Sequence, residues 1–181
     1  MTIQGQRWLS PSLLARKMLC AAYVSSPIAD QERFRLRALH VMALIIVIKR
    51  YLKSGFRLLA LERAGQGWRI DLLFEAVVSA RKRLVEVKSG KRMREVHRIQ
   101  AALYAYKISA DEIAVSNRYE DEVLSVEFIQ RIQRQAELTL RFLTNDPTRA
   151  AATYTPHEDC CYTCANTTCP FLDGQEQPDS R

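Results

Sequence analysis

Four of the five cysteines in this chain lie within ten residues near its C-terminus, in the sequence HEDCCYTCANTTCPF (157–171). They are Cys160, Cys161, Cys164 and Cys169. Clustered thiols in a reducing compartment are usually metal ligands, and the pattern Cys-x2-Cys-x4-Cys from Cys161 supplies three of them on short loops. A tetrahedral metal or an iron–sulfur cluster needs four ligands. The fourth ligand is Cys160, His157 or the distant Cys20, and spacing alone leaves zinc and iron–sulfur both open.

The composition predicts one cytoplasmic domain with an anionic partner. The chain has 181 residues and a formal net charge of +7, which favours nucleic acid as that partner. The N-terminus is too polar for a secretory signal, and the longest apolar run, VMALIIVI (41–48), is far shorter than the ~20 residues of a membrane-spanning helix. We therefore expect a cytoplasmic protein with no membrane association and with reduced thiols. The domain is expected over 1–171, followed by a disordered tail over 172–181.

Periodicity predicts an α/β fold. A helix is expected from Ser10, with Pro11 at its first position, and a long, mostly buried helix is expected to end at Gly55. The period then changes to two, which is typical of strands. Strands are predicted at 56–62, 68–75, 83–90, 112–117 and 123–128. Further helices are predicted at 91–108 and 129–145.

Charged residues within the predicted strands indicate a metal site. Asp71 lies in the otherwise apolar sequence IDLLF, and Glu86 and Lys88 lie two residues apart in VEVK. On a strand, the latter two point to the same face. Buried charges are costly unless they are paired or bind a metal, and carboxylates are suitable ligands for Mg²⁺ or Mn²⁺. The three residues therefore fit metal-dependent phosphodiester hydrolysis, with Lys88 orienting the attacking water. A solvated cross-strand salt bridge explains the same spacing.

The segment after these strands adds polar and basic residues. Gln100 and Tyr104 lie four apart, so they share a helix face and could reach the site. Eight Lys and Arg residues lie between Arg81 and Arg98. This density is suited to a phosphate backbone, although a solvated helix face would also account for it. The residues expected to bind DNA are Arg81, Lys91, Arg92, Arg94 and Arg98.

Taken in order, these motifs resemble a nuclease family. Asp71, then EVK (86–88), then QAALY (100–104) resembles the RecB-like branch of the PD-(D/E)XK nucleases. His40, on an upstream helix, matches a histidine of that branch. One N-terminal and three C-terminal cysteines are similar to the CRISPR-associated exonucleases, the fourth core Cas family. The resemblance covers roughly residues 10–171 and implies a restriction-endonuclease-like core, a mixed sheet flanked by helices.

The resemblance also implies a role for each residue. His40, Asp71, Glu86 and the carbonyl of Val87 would bind Mn²⁺ or Mg²⁺, Lys88 would assist catalysis, and Gln100 and Tyr104 would support the site. An iron–sulfur cluster, most often [4Fe–4S] in this family, would join segments around 10–24 and 157–171. Its ligands would be Cys20, Cys161, Cys164 and Cys169.

The function implied is a metal-dependent DNA exonuclease that acts on single-stranded or splayed ends. Its role would be spacer acquisition in CRISPR antiviral defence, with the CRISPR integrase complex as a partner. Two alternatives stay open: a non-catalytic DNA-binding module with a structural zinc, and the nuclease subunit of a DNA-repair helicase. The sequence leaves the oligomeric state undecided.

Overall fold

The first helix, α1, spans Pro11–Leu19 in the computed structural model. The structure describes residues 9–25, 27–65, 68–153, 155, 157, 159, 164–166 and 168–170, so the expected tail at 172–181 lies outside the described residues. The Ser10 hydroxyl accepts a hydrogen bond from the N–H of Leu13 at 3.3 Å. Proline at the first helical position has no N–H to satisfy. The helix start predicted from Ser10 and Pro11 is therefore confirmed.

The second helix, α2, spans Asp30–Lys53. Ala43, Leu44, Val47 and Tyr51 pack it against the sheet, and Gly55, with φ of 80°, adopts the left-handed conformation that ends the helix. The prediction that this helix is mostly buried is wrong, because only this one stripe meets the sheet and most other side chains of α2 are exposed. Among the described residues, neither α2 nor any other helix is long and apolar enough to cross a bilayer.

A five-stranded mixed sheet forms the centre of the fold. Its strands are β1 (Phe56–Leu61), β4 (Leu72–Ala76), β5 (Lys82–Val87), β6 (Glu112–Ser116) and β7 (Asp121–Val123), in that spatial order. Only β5 and β6 are parallel, and parallel neighbours need a crossover connection. Here α3 (Glu95–Leu103) and the short 3₁₀ turn that follows it supply the crossover. In the sequence between β1 and β4, a small separate hairpin forms from β2 (Ala64–Gly65) and β3 (Trp68–Arg69).

Helices cover both faces of the sheet. On one face, α2 packs on Leu72, Phe74, Val85 and Val87. On the other face, α1, α3 and the long helix α4 (Val126–Asn145) enclose a second core with residues such as Leu73 and Leu84. A short helix, α5 (Pro147–Ala151), follows α4. The predicted α/β class, a mixed sheet flanked by helices, is confirmed.

Several predicted boundaries need correction, including that of the strand expected at 83–90, which ends at Val87. The strand expected at 68–75 is broken at Ile70 and Asp71, because Trp68 and Arg69 pair in the β2–β3 hairpin instead of continuing into β4. The strand expected at 123–128 stops at Val123, since the Ser125 hydroxyl accepts from Phe128 N–H at 3.2 Å and caps α4. The helix expected at 91–108 begins at Glu95.

Candidate active site

Asp71 and Glu86 meet at one end of the sheet. The register pairs Leu72 of β4 with Val85 of β5, so Asp71 and Glu86 occupy the next position on each chain. Both carboxylates are buried. Asp71 Oδ2 accepts a hydrogen bond from the N–H of Val87 at 2.7 Å, which ties the start of β4 to the end of β5. Asp71 thus lies in a bend before β4, not inside a strand as predicted, and the bend brings its carboxylate across to β5.

Lys88 and Gln100 both contact one carboxylate oxygen of Glu86, Oε1. Lys88 Nζ lies 2.6 Å from Glu86 Oε1 and 3.0 Å from Gln100 Oε1, while Gln100 Nε2 donates to Glu86 Oε1 at 2.7 Å. Tyr104 OH lies 3.4 Å from Gln100 Nε2 and donates to the carbonyl of Arg69 at 2.6 Å. Glu86 and Lys88 on the one hand, and Gln100 and Tyr104 on the other, were predicted from separate motifs. The structure brings all four together.

His40 reaches the same place from α2. Its Nε2 lies 3.4 Å from Asp71 Oδ1. Attraction to the Asp71 carboxylate raises the pKa of His40 above its usual value, although burial opposes the rise. The separation permits electrostatic attraction, but the contact lacks the alignment of a hydrogen bond. His40 comes from α2, Asp71 from the bend before β4 and Glu86 from β5, and the three residues converge at one end of the sheet.

Two polar atoms in this cluster are buried without a hydrogen-bond partner: His40 Nε2 and Glu86 Oε2. Such atoms are rare in folded proteins because each costs about 1–3 kcal/mol. Burial raises the pKa of Glu86 to about 7, with Lys88 opposing the rise. Carboxylate oxygens suit Mg²⁺ or Mn²⁺, whereas an imidazole nitrogen is a ligand for transition metals, so the donor set favours Mn²⁺ over Mg²⁺. The residues therefore fit a divalent cation, although no group of three or more His, Cys, Asp or Glu within the described residues is already arranged around a metal position.

The basic residues divide into two groups. Lys91 and Arg92 are exposed in the loop between β5 and α3, which Asn117 fixes by donating from Nδ2 to the carbonyl of Lys91 at 3.1 Å. Arg94 and Arg98 follow at the start of α3 and pair with Asp159 and Glu122. Arg81 lies before β5, about 23 Å from Lys88 at 3.3 Å per residue, and pairs with Glu112. The structure thus places four of the five predicted DNA-binding residues near the site and separates Arg81 from them.

The C-terminal segment returns to the first helix. Cys20 is buried, and Cys164 packs against the same small cluster of residues. Val24 N–H lies 3.5 Å from Cys164 Sγ, and Ala165 N–H donates to the carbonyl of Val24 at 2.9 Å. Cys169 is partly exposed, whereas Cys160 and Cys161 lie outside the described residues. Two of the four expected cluster ligands are therefore on touching segments.

Sequence reasoning missed two residues that support the site. Asp159 is buried and accepts from the N–H of Val96 at 3.1 Å, so it caps α3, while Arg16 Nη1 donates to its carbonyl at 2.9 Å. His97 lies among Lys88, Arg94, Arg16 and Arg98 at the start of α3. An isolated Asp beside cysteines gives no capping signal when the helix is sixty residues away. His97 could have been noticed as the one histidine within the basic segment.

Comparison with known proteins does not identify a family. No protein-family model matches the sequence, and no curated protein matches it. A solved structure of a protein of unknown function from Silicibacter pomeroyi is similar at a TM-score of 0.28 and 17% identity, over 59% of this chain and 91% of the other. At this TM-score the likeness supports no inference about fold or function. The function is therefore inferred from the site itself.

Proposed function

We propose that this chain is a divalent-metal-dependent DNA exonuclease of the PD-(D/E)XK type, acting on single-stranded or splayed ends. The observation that carries the proposal is the convergence of His40, Asp71, Glu86 and Lys88 at one end of the sheet, with unpartnered atoms on His40 and Glu86. Buried atoms without a hydrogen-bond partner also occur on Asp159 and Arg118, but here two of them lie in one cluster with Asp71 and Lys88. This arrangement favours a ligand-binding role over a purely structural one.

The metal would be held by His40, Asp71, Glu86 and the carbonyl of Val87. When bound, a divalent cation supplies a water of lowered pKa and neutralises charge on the phosphate. Asp71 already bonds to the Val87 N–H at 2.7 Å. That bond holds the Asp71 side chain against the backbone of β5 beside Glu86 and Val87.

Lys88 is the residue positioned to act on the reacting groups. Its ammonium is fixed by Glu86 and Gln100, at 2.6 and 3.0 Å. A cation fixed in this way can orient the attacking water and stabilise the negative charge that develops on the phosphate. Gln100 holds both partners of this pair, and Tyr104 anchors Gln100 to the β3 backbone through the carbonyl of Arg69. Gln100 and Tyr104 are therefore positioning residues.

The basic loop would hold the DNA strand. Lys91 and Arg92 extend from the end of β5, directly after Lys88, and Arg94 and Arg98 continue onto α3. Contacts of this kind go to phosphates and read no sequence. A strand bound there would pass the carboxylates, which supports cleavage of DNA ends without sequence preference.

The cysteines would hold an iron–sulfur cluster, of the [4Fe–4S] type, that joins the C-terminal segment to α1. The contact between the Cys20 and Cys164 segments supports this part of the proposal. The cluster would close a long loop around the core, and by analogy with a disulfide such closure stabilises the fold by about 4–5 kcal/mol. The role of the whole protein would be spacer acquisition in CRISPR defence, in contact with the integrase complex.

Cleavage of labelled single-stranded DNA in Mn²⁺ or Mg²⁺ tests the nuclease proposal. We expect the protein to degrade the strand from an end and Lys88→Ala to lose this activity while keeping its fold. Lys82→Ala is the matched control, since Lys82 is an exposed lysine at the opposite end of β5. A wild-type protein that binds DNA but does not cut it with either metal would favour the zinc-containing binding module.

Iron content per chain tests the cluster. Anaerobically purified wild-type protein is expected to be brown, and Cys20→Ser and Cys164→Ser are expected to lose iron and melt at a lower temperature. Cys160→Ser is expected to keep its iron. Full iron in Cys20→Ser, beside none in Cys160→Ser, would show that Cys160 is the fourth ligand. Zinc in place of iron would overturn the cluster assignment without affecting the cleavage test.

A further inference from the structure

The outward side of α2 carries a regular apolar stripe. Its members recur at alternating spacings of four and three residues: Phe34, Ala38, Val41, Ile45, Ile48 and Leu52. We call this set the outer stripe. Phe34 is 78% exposed, Val41 45%, Ile45 48% and Leu52 50%. A repeat averaging 3.5 residues is the pattern of a coiled-coil seam, which predicts a second helix as its partner.

Apart from Ile48, the outer stripe is separate from the face that holds α2 on the sheet. That face consists of Ala43, Leu44, Val47 and Tyr51, and Ile48 packs against its border. At 100° per residue the centres of the two faces lie roughly 120° apart around the helix. Within the described residues, the core therefore uses none of the other five stripe side chains. In addition, nearly all side chains at 30–38 are exposed, so the first turns of α2 extend away from the sheet. Short helical segments without packing are marginally stable in water, so a partner along the stripe would stabilise them.

We propose that the outer stripe pairs two copies of this chain through α2, in an antiparallel coiled coil. Its two-fold axis would cross α2 at the level of residue 43. The pattern of spacings reads the same in both directions about residue 43. In an antiparallel pair, Phe34 therefore meets Leu52 of the second copy, Ala38 meets Ile48 and Val41 meets Ile45. Each small residue faces a larger one, which fills the seam evenly. A parallel pair would place Phe34 on Phe34 and leave a gap between two Ala38 methyl groups.

The exposed apolar area matches what a dimer requires. Five apolar side chains on this side of α2 are about half exposed on average: Phe34, Val41, Met42, Ile45 and Leu52. At about 150–200 Å² for a whole large side chain, they expose roughly 500 Å². A standard interface buries about 800 Å² per partner, of which roughly 60% is apolar, so the required apolar area is also about 500 Å². This area lies at the upper end of what a monomer usually exposes in one patch.

The charges beside the stripe predict a weak dimer and give its orientation a test. Arg35, which pairs with Glu32 at 3.3 Å, and Lys49 are exposed and flank the stripe. In the antiparallel arrangement Arg35 lies beside Lys49 of the second copy, because both border the layers formed by Phe34, Ala38, Ile48 and Leu52. Like charges in this position weaken association. Reversing one of them creates two attractive pairs in the antiparallel dimer, since the two-fold axis repeats the contact.

Sedimentation of the full chain over micromolar concentrations tests the proposal by mass, so the result does not depend on nuclease activity. We expect a concentration-dependent dimer and a several-fold tighter dimer for Lys49→Glu. Ala38→Glu and Ile45→Glu are expected to be folded monomers, which lose helical circular dichroism only to the extent of the first turns of α2. Leu138→Glu is the matched control, because Leu138 is a 65% exposed leucine on α4, across the sheet from α2, and it is expected to dimerise normally.

A wild-type protein that stays monomeric throughout would overturn the proposal. So would a dimer that survives Ala38→Glu, a substitution in the exposed part of α2 that does not disturb the core. Weaker association of Lys49→Glu would exclude the antiparallel arrangement.

Discussion

Strand β5 has ionisable residues near both ends, and their hydrogen bonding differs between the two ends. At its start, Arg83 Nε donates to Glu112 Oε2 at 2.7 Å, and its guanidinium lies over the ring of Phe56. Close by, the Tyr51 hydroxyl donates to the Asp121 carboxylate at 2.8 Å. At the end of β5, Glu86 and His40 each keep a buried atom without a partner. At the start of β5 the charged groups are paired or hydrogen-bonded. At its end, two buried polar atoms lack a hydrogen-bond partner, which lowers the stability of the folded chain.

The difference distinguishes a structural use of charge from a functional one. A paired and hydrogen-bonded charge lowers the free energy of the folded chain or leaves it little changed, so its removal mainly affects stability. A buried carboxylate whose pKa is raised to about 7 is unfavourable when ionised, and unfavourable groups of this kind concentrate at functional sites. Substitutions at the two ends of β5 should therefore affect different properties.

The largest difference is expected in cleavage. Asp71→Asn and Glu86→Gln are expected to lower the cleavage rate by about 10³-fold or more, because each removes a charged ligand from the site. Both variants keep the shape of the side chain, so DNA binding without divalent metal should be retained. Rates on labelled single-stranded DNA, with binding measured by fluorescence anisotropy, provide the test.

Glu112→Gln is the control at the start of β5, where Glu112 pairs with Arg83. It is expected to cleave at close to the wild-type rate when assayed well below its melting temperature. Near-normal cleavage by Asp71→Asn or Glu86→Gln would show that both ends of β5 are structural.

Stability should change in opposite directions at the two ends. Arg83→Ala leaves a largely buried Glu112 carboxylate without this partner, which is expected to cost about 2 kcal/mol of unfolding free energy. Glu86→Gln is expected to raise it by about 1 kcal/mol at pH 8 without divalent metal. The sign follows because the folded pKa of Glu86 is raised above its unfolded value, so stability is lost as the pH rises through about 7. Urea denaturation gives both values, and a Glu86→Gln variant less stable than wild type would contradict the distinction.

The sequence predicted the members of the site better than the geometry that joins them. Spacing placed Glu86 and Lys88 on one face and Gln100 near Tyr104, because strand and helix periods act over a few residues. The bend at Asp71 was missed, since it depends on Trp68 and Arg69 pairing with a separate strand. Asp159 was missed for a similar reason, because it caps a helix far away in sequence. The separation of Arg81 from the other basic residues follows from the strand predicted at 83–90, which lies between them, but these residues were grouped by their density in the sequence alone.

His97, which lies near the site end of β5, is expected to have a smaller effect, on how stability depends on pH. Burial, with the nearby cations Lys88, Arg94, Arg16 and Arg98 adding to it, lowers the pKa of His97 to about 3. Its neutral Nδ1 accepts from Arg94 N–H at 3.3 Å. Because the folded pKa is depressed below the unfolded value near 6.5, the unfolded chain binds the proton first, and stability is lost as the pH falls below about 6.5.

We expect this histidine to lower the unfolding free energy by about 1 kcal/mol between pH 7 and pH 5.5. His97→Gln should remove that part of the pH dependence, since glutamine at this helix position can still accept from the Arg94 N–H but does not titrate. Denaturation at the two pH values tests this. An unchanged slope in the variant would mean that His97 is already protonated in the folded protein.

The smallest difference concerns DNA binding by the two groups of arginines. Arg92 lies in the loop that leaves the site end of β5, whereas Arg81 precedes its start and pairs with Glu112. Each lost phosphate contact reduces the slope of log affinity against log salt by about 0.7 for a single strand. Arg92→Ala is therefore expected to bind single-stranded DNA a few-fold more weakly, with a slope reduced by about that amount. Arg81→Ala should bind as wild type does, because the Arg81 backbone is about 23 Å along the strand from that of Lys88 and its side chain pairs with Glu112. Anisotropy titrations over a range of salt concentrations measure both. Equal losses in the two variants would mean that the bound strand runs along the whole of β5, and that the two ends share a function in binding.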